Sequence, residues 1–189
     1  MVYVALLRGI NVGGNNLIKM SALREAFEAL GYTGVTTYIA SGNVVFEAKG
    51  TKAALTKTIE AALSKTFAYE SKIVVVSAKD LALVLEEAPK GFGKQPTKYR
   101  YDVLFVKPPL TTRAALPEVD TTPGVDEVWA GKHALYFRRL VAQASRSKLS
   151  KIVGKPIYRE LTIRNWNTTM ALARLSGASG DWTPGRRPH

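Results

Sequence analysis

The chain has 189 residues, 46% hydrophobic and 22% charged, carries a formal net charge of +12 and contains no cysteine. That length suits one large domain or two small ones, and the missing thiols exclude disulfide staples, cysteine nucleophiles and cysteine-ligated metals. No apolar run approaches the ~20 residues of a membrane span and the N-terminal run stops at Arg8, so a folded cytoplasmic protein without a signal peptide or membrane partner is expected.

The first apolar run, VYVALLRG, is hydrophobic on both alternations and predicts a buried strand over residues 2–8. The loop GINVGGNN follows. SALREAFEALG then spaces Leu23, Ala26, Phe27 and Leu30 for a helix over residues 21–30, with Ser21 as N-cap and Gly31 just past the end. VTTYIASGNVVFEA reads as a hairpin turning at Ser41, Gly42 and Asn43. TKAALTKTIEAALSKTF gives a second helix with Leu55, Ile59, Ala62, Leu63 and Phe67 on one stripe, and KIVVVSA gives a buried strand. Residues 1–79 therefore read β-α-β-β-α-β, the order of a ferredoxin-like unit.

The second half repeats this pattern less regularly. DLALVLEEA predicts a helix, YDVLFVKPP a strand ended by prolines, TTRAALPEV a short helix, and VDEVWAGKHALYFRR two strands around Ala130, Gly131 and Lys132. A further helix is expected within 145–153 and a last one within 162–176, docking onto the rest, with 177–189 as a flexible tail. The expected fold class is α+β: two ferredoxin-like subdomains with antiparallel sheets, residues 1–79 and 80–176, plus a C-terminal docking helix.

Three polar motifs interrupt this scaffold. The first joins Arg8, Asn11, Gly13 and Gly14 between a strand and a helix, where α/β folds often bind phosphate. Its glycine spacing matches neither the dinucleotide fingerprint nor the P-loop, and turn chemistry accounts for the glycines and asparagines but not for Arg8. The second is Ser41, Gly42 and Asn43. The third is Arg164, Asn165, Trp166, Asn167 and Thr168; on a helical wheel Arg164, Asn165, Asn167 and Thr168 share one face, opposite Ile163, Trp166 and Met170.

Charge is concentrated late in the chain, where residues 138–189 hold eleven Lys/Arg against two Asp/Glu. Arg146, Lys148, Lys151 and Lys155 are the candidate basic surface for phosphate contact, against the plainer reading of a solvated face. No zinc spacing or RNP pattern accompanies them. With only His133 and His189 present and no carboxylate in the three motifs, neither histidine acid–base catalysis nor a paired-carboxylate or metal site is expected, and no cofactor is assigned.

LLRGINVGGNN, the Met20-Ser21-x-Leu23-Arg24 start of the first helix, YIASGNVVF and the late RNWNT together resemble the bacterial family catalogued as domain of unknown function 1697. The resemblance covers nearly the whole chain. It implies a compact α+β fold of two related subdomains and no particular activity. The sequence thus points to binding of an anionic ligand, a nucleotide-like metabolite or nucleic acid, through Arg8, Asn11, Gly13, Ser41, Asn43, Arg164, Asn165 and Asn167. The alternatives are an enzyme acting on a phosphorylated small molecule and an interaction module without a ligand. All three leave the oligomeric state open, and the first requires the three motifs to meet in space.

Overall fold

The computed structural model describes residues 1–11, 16–40 and 42–178. Its first sheet is built from β1 (Val2–Leu7), β2 (Thr33–Tyr38), β3 (Asn43–Glu47) and β4 (Ile73–Ser77) in the order β2-β3-β1-β4, with every neighbouring pair antiparallel. Helices α1 (Met20–Glu28) and α2 (Lys52–Phe67) follow β1 and β3, and α3 (Ala78–Glu86) follows β4.

The second sheet repeats this order: β5 (Tyr99–Val106), β6 (Asp126–Ala130), β7 (Leu135–Leu140) and β8 (Leu161–Asn165) pair as β6-β7-β5-β8, again antiparallel throughout. The short α4 (Thr112–Ala115) takes the place of α1, and α5 (Trp166–Leu175) follows β8 as α3 follows β4. The molecule is an α+β fold of two four-stranded sheets with a C-terminal helix.

Strand alternation sorts the side chains into three cores. From β1, Tyr3, Ala5 and Leu7 point to an outer core closed by Leu23 and Phe27 of α1 and Leu55, Ile59 and Leu63 of α2. Val4 and Leu6 point the other way, into a central core that also takes Val103 and Phe105 of β5, Leu81 and Val84 of α3, and Leu172 and Ala173 of α5. A third core, with Leu104, Phe137, Leu149 and Ile152, lies beyond the second sheet. Both central strands are buried on two faces, which is why their sequences are nearly continuous apolar runs.

The central core fastens the two halves together. Phe92 meets Tyr101, Tyr136 and Trp166 edge-on, with centroids 4.9, 5.5 and 5.2 Å away, and the Tyr136 hydroxyl donates to the Val84 carbonyl at 2.6 Å. Residue 80, where the second subdomain is expected to begin, lies in the first turn of α3.

Several sequence expectations are corrected. The helix expected within 145–153 is a series of 3-10 turns, Val141–Arg146 and Leu149–Gly154, followed by Pro156–Glu160, because the backbone is extended at Ser147 (ψ 140°) and single turns suffice to insert Leu149 and Ile152 into the third core. Residues 161–165 form strand β8, so the helical wheel through Arg164 does not apply; α5 begins only at Trp166. Helix α1 starts one residue early, at Met20, with Lys19 rather than Ser21 in the cap position, and ends at Glu28, with Gly31 at φ +80° beyond it. The expected flexible tail falls almost wholly outside the described residues, as do Gly13 and Ser41.

A shared core predicts joint unfolding. Leu172→Ala leaves a cavity among both halves and is expected to cost ~2–5 kcal/mol. Urea titrations followed by tryptophan fluorescence, whose three reporters Trp129, Trp166 and Trp182 all lie after residue 80 in the sequence, and by far-ultraviolet circular dichroism should stay coincident; separated midpoints would show that the halves unfold independently.

Candidate functional site

The described residues of the three polar motifs converge where β1, the β2–β3 turn and β8 meet. Arg164, at the end of β8, is only 8% exposed and crosses from the second sheet to the first. Its Nε donates to Asn43 Oδ1 at 2.5 Å and its Nη2 to the carbonyls of Leu7 at 2.6 Å and Gly42 at 3.2 Å, while Nη1 returns to the Ile163 carbonyl at 2.9 Å. Asn43, fully buried, in turn donates to the Tyr38 carbonyl at 2.9 Å. Burial lowers the Arg164 guanidinium to about 10, so it remains charged at neutral pH.

The strand-to-helix loop is closed by its asparagines. Asn11 donates to the carbonyls of Ile18 at 2.9 Å and Ala40 at 2.8 Å, and accepts from the Ile18 amide at 2.8 Å. Asn16 donates to the Gly9 carbonyl at 2.9 Å. Five residues beside one another here have positive φ: Gly9, Asn11, Asn16, Gly42 and, unusually, the β-branched Ile39 at +49°. Gly42 could carry no side chain, since a Cβ would stand 2.7 Å from Ile10 Cδ1 and 2.8 Å from Leu7 Cβ.

Arg8 stands apart from this closed network. Its backbone amide bonds to the Lys72 carbonyl at 3.0 Å. Its guanidinium gives one hydrogen bond, Nη1 to the Tyr158 carbonyl at 2.9 Å, and lies over the Tyr158 ring at 5.3 Å. It forms no ion pair among the described residues. Arg8, Gly9 and Tyr158 line both of two neighbouring cavities, which we call the lobes of one cleft.

The larger lobe, about 580 Å³, is walled by Gly9, Asn16, Tyr69, Val153, Pro156, Tyr158 and Arg159. The smaller, about 260 Å³, is walled by Ile39, Tyr158, Ile163, Arg164, Asn165 and Thr168. Glu70 also lines the larger lobe. Its hydrogen bond and charge pairing with Lys72 hold its carboxyl below the usual range, and Arg159 and Arg8 add to that effect.

The structure therefore places Arg8, Arg164 and Asn165 on the cleft, and puts Asn11 and Asn43 behind it as supports. Asn165 caps α5, its Oδ1 accepting from the Thr168 amide at 2.8 Å. Asn167 is exposed in the first turn of α5. The 3-10 segment supplies Val153, Pro156, Tyr158 and Arg159, and α5 supplies Thr168. Of these only Thr168 falls within the three motifs. Ile39 is the other cleft residue that turn preferences do not reveal, since left-handed backbone is signalled by Gly or Asn.

The basic surface is less free than its sequence suggests. Lys155 is tied to Asp120 Oδ1 and the Glu118 carbonyl, both at 2.8 Å, and Arg146 bonds Gln143 at 2.6 Å. Lys148 is half-buried and its amide bonds Asp126 Oδ2 at 2.9 Å. Lys151 is exposed, one 3-10 turn further on. Among the described residues no cluster of three or more His, Asp or Glu has the geometry of a metal site, and no helix is long and apolar enough to cross a membrane.

Comparison with known proteins adds a family and a fold. A family model described as "Protein of unknown function (DUF1697)" matches residues 1–136. The solved structure of the conserved bacterial protein SP0830 from Streptococcus pneumoniae is 28% identical, with a TM-score of 0.81 over 93% of this chain and 98% of that one. No curated protein matches.

Two substitutions test the closed network. Arg164→Met strands the buried oxygens of Asn43 and Leu7 and should lower stability by about 3 kcal/mol or more, taking ~1–3 kcal/mol for each unsatisfied group. Gly42→Ala combines a left-handed backbone with contacts that Ile10 and Leu7 cannot yield, and is expected to cost ~2 kcal/mol or more. Chemical denaturation reads both, and a wild-type midpoint in either would contradict the network.

Proposed function

The chain belongs to this family of proteins of unknown function, whose description names no activity; from its own cleft we propose that it binds an anionic small molecule between the Arg8 loop and the 153–159 segment. The observation that carries this is Arg8 itself. It is a planar guanidinium with most of its donors uncommitted, held over the Tyr158 ring, lining both lobes and without an ion-pair partner among the described residues. Arg159 adds a second cation, with no side-chain hydrogen bond or ion pair within bonding distance among the described residues. An arginine fork so placed suits carboxylate or phosphate oxygens.

The surroundings favour a compact ligand over a polymer. Lys155, the basic-surface candidate that reaches the cleft, is neutralised by Asp120, and Glu70 and Lys72 cancel one another. What remains is a local excess at Arg8 and Arg159 rather than a stripe of lysines following a backbone. The left-handed residues clustered in the cleft wall and behind it are the kind of backbone strain that a fold retains at a binding site.

Thermal-shift titration of the full chain with pyrophosphate and with nucleoside phosphates is the direct test. Binding should raise the melting temperature and weaken roughly tenfold or more in Arg8→Ala, the weight of a charge-assisted hydrogen bond of ~1.5–3 kcal/mol. Circular dichroism checks that the variant is folded. A folded Arg8→Ala protein that binds as wild type would refute the assignment. So would a wild type that ignores small anions but binds oligonucleotides with a steep salt dependence.

A further inference from the structure

We propose that the smaller lobe is a phosphoryl site and that the ligand is an organic phosphate monoester, its carbon skeleton lying in the larger lobe. This deepens the anion reading above and rests on it.

The donor set is the first argument. Thr168 is 5% exposed and lines the smaller lobe, yet its hydroxyl has no described hydrogen-bond partner. The cap bond fixes the orientation of the Asn165 amide, because Oδ1 must accept from the Thr168 N–H. The Asn165 NH₂ is left as a donor on the lobe wall, again without a described partner. Arg8 supplies further N–H groups. A hydroxyl, an amide NH₂ and a guanidinium around one small cavity satisfy several oxygens on one centre, as a tetrahedral phosphoryl group presents them.

The duplicated fold supplies the second. Ser77 and Asn165 occupy the same place, the last residue of the fourth strand and the cap of the helix that follows. In the first half the third helical residue is Asp80. Its carboxylate bonds the Ser77 amide at 2.9 Å and Lys52 at 2.7 Å, so the positive end of α3 is covered by the chain's own anion. In the second half that position is Thr168, and the end of α5 opens into a cavity bordered by Arg8 and Arg164. The site for negative charge persists while the carboxylate is absent.

The larger lobe gives the third. Tyr69, Val153 and Pro156 offer an aromatic and aliphatic wall next to Arg8, with Val153 60% exposed. Such a wall serves a carbon skeleton and does nothing for free phosphate.

Calorimetric titration with phenyl phosphate, inorganic phosphate and benzoate tests the assignment. Phenyl phosphate should bind about tenfold tighter than either comparison. Thr168→Val removes only the hydroxyl, and Asn165→Asp keeps a good cap while replacing the donor with a negative charge. Both should retain the wild-type melting temperature, and they should weaken phenyl phosphate by about fivefold and more than tenfold respectively. If both variants bind it as wild type while Arg8→Ala does not, the anion lies in the larger lobe; the phosphoryl site is then wrong and the anion reading stands. Equal affinity for inorganic phosphate and phenyl phosphate would overturn the monoester. No binding of any of the three at millimolar concentration would overturn both readings.

Discussion

One buried guanidinium holds the geometry of this molecule. Arg164 reaches from the last strand of the second sheet to three oxygens of the first, on Leu7, Gly42 and Asn43, and so fixes the β2–β3 turn, the end of β1 and the start of α5 relative to one another. Desolvating a charge costs several kcal/mol, and the cost is tolerable only because directed hydrogen bonds surround it. A hydrophobic residue could fill the space. It could not specify which carbonyls meet there, and the cleft is defined by where those carbonyls lie.

The strained backbone around the cleft depends on that same anchor. Ile39 at φ +49° and Gly42 at +77° belong to the turn that Arg164 grips from beneath, and Asn11 pins its other side through the Ala40 carbonyl. Asn11 and Asn43 are therefore spent on the protein. Arg8, the residue immediately after β1's buried stretch, keeps its donors because Tyr158 takes only one of them. Support and recognition are divided between two arginines, one closed in and one facing the cleft.

How far this was legible in the sequence follows from which signals are local. Strand alternation, the hairpin and the β-α-β-β-α-β order of the first half are written in spacings of two to four residues, and the structure shows each of these elements. Arg8, Asn43 and Arg164 also lie near one another, Arg164 bonding Asn43 and sharing a cavity wall with Arg8; Arg and Asn at the ends of apolar strands have no role in the strands themselves. Reading Arg164–Thr168 as one helical face failed because TIR is too short to reveal its period; pairing with β5 decides it, and that contact lies some sixty residues away. The 3-10 segment defeats pattern reading altogether. Its turns are shorter than the windows on which periodicity is judged, so Tyr158 and Arg159 carried no signal beyond their charge and ring.

The two halves share a topology and differ in how their outer faces are finished, and the cleft arises from that difference. The first sheet is covered by α1 and α2, of nine and sixteen residues, whose backbone groups are largely satisfied within the helices. The second is covered by a four-residue helix and short 3-10 turns. Single turns leave carbonyls to be used elsewhere. One of these, on Tyr158, is the group that holds Arg8, and the chain around it furnishes Val153, Pro156 and Arg159 as the cleft's far wall. A regular helix at 145–160 would have covered the third core with a smooth side-chain surface and kept its own carbonyls. Loss of helical regularity in one copy is thus what turns a structural seam between two related sheets into a cavity lined by uncommitted donors.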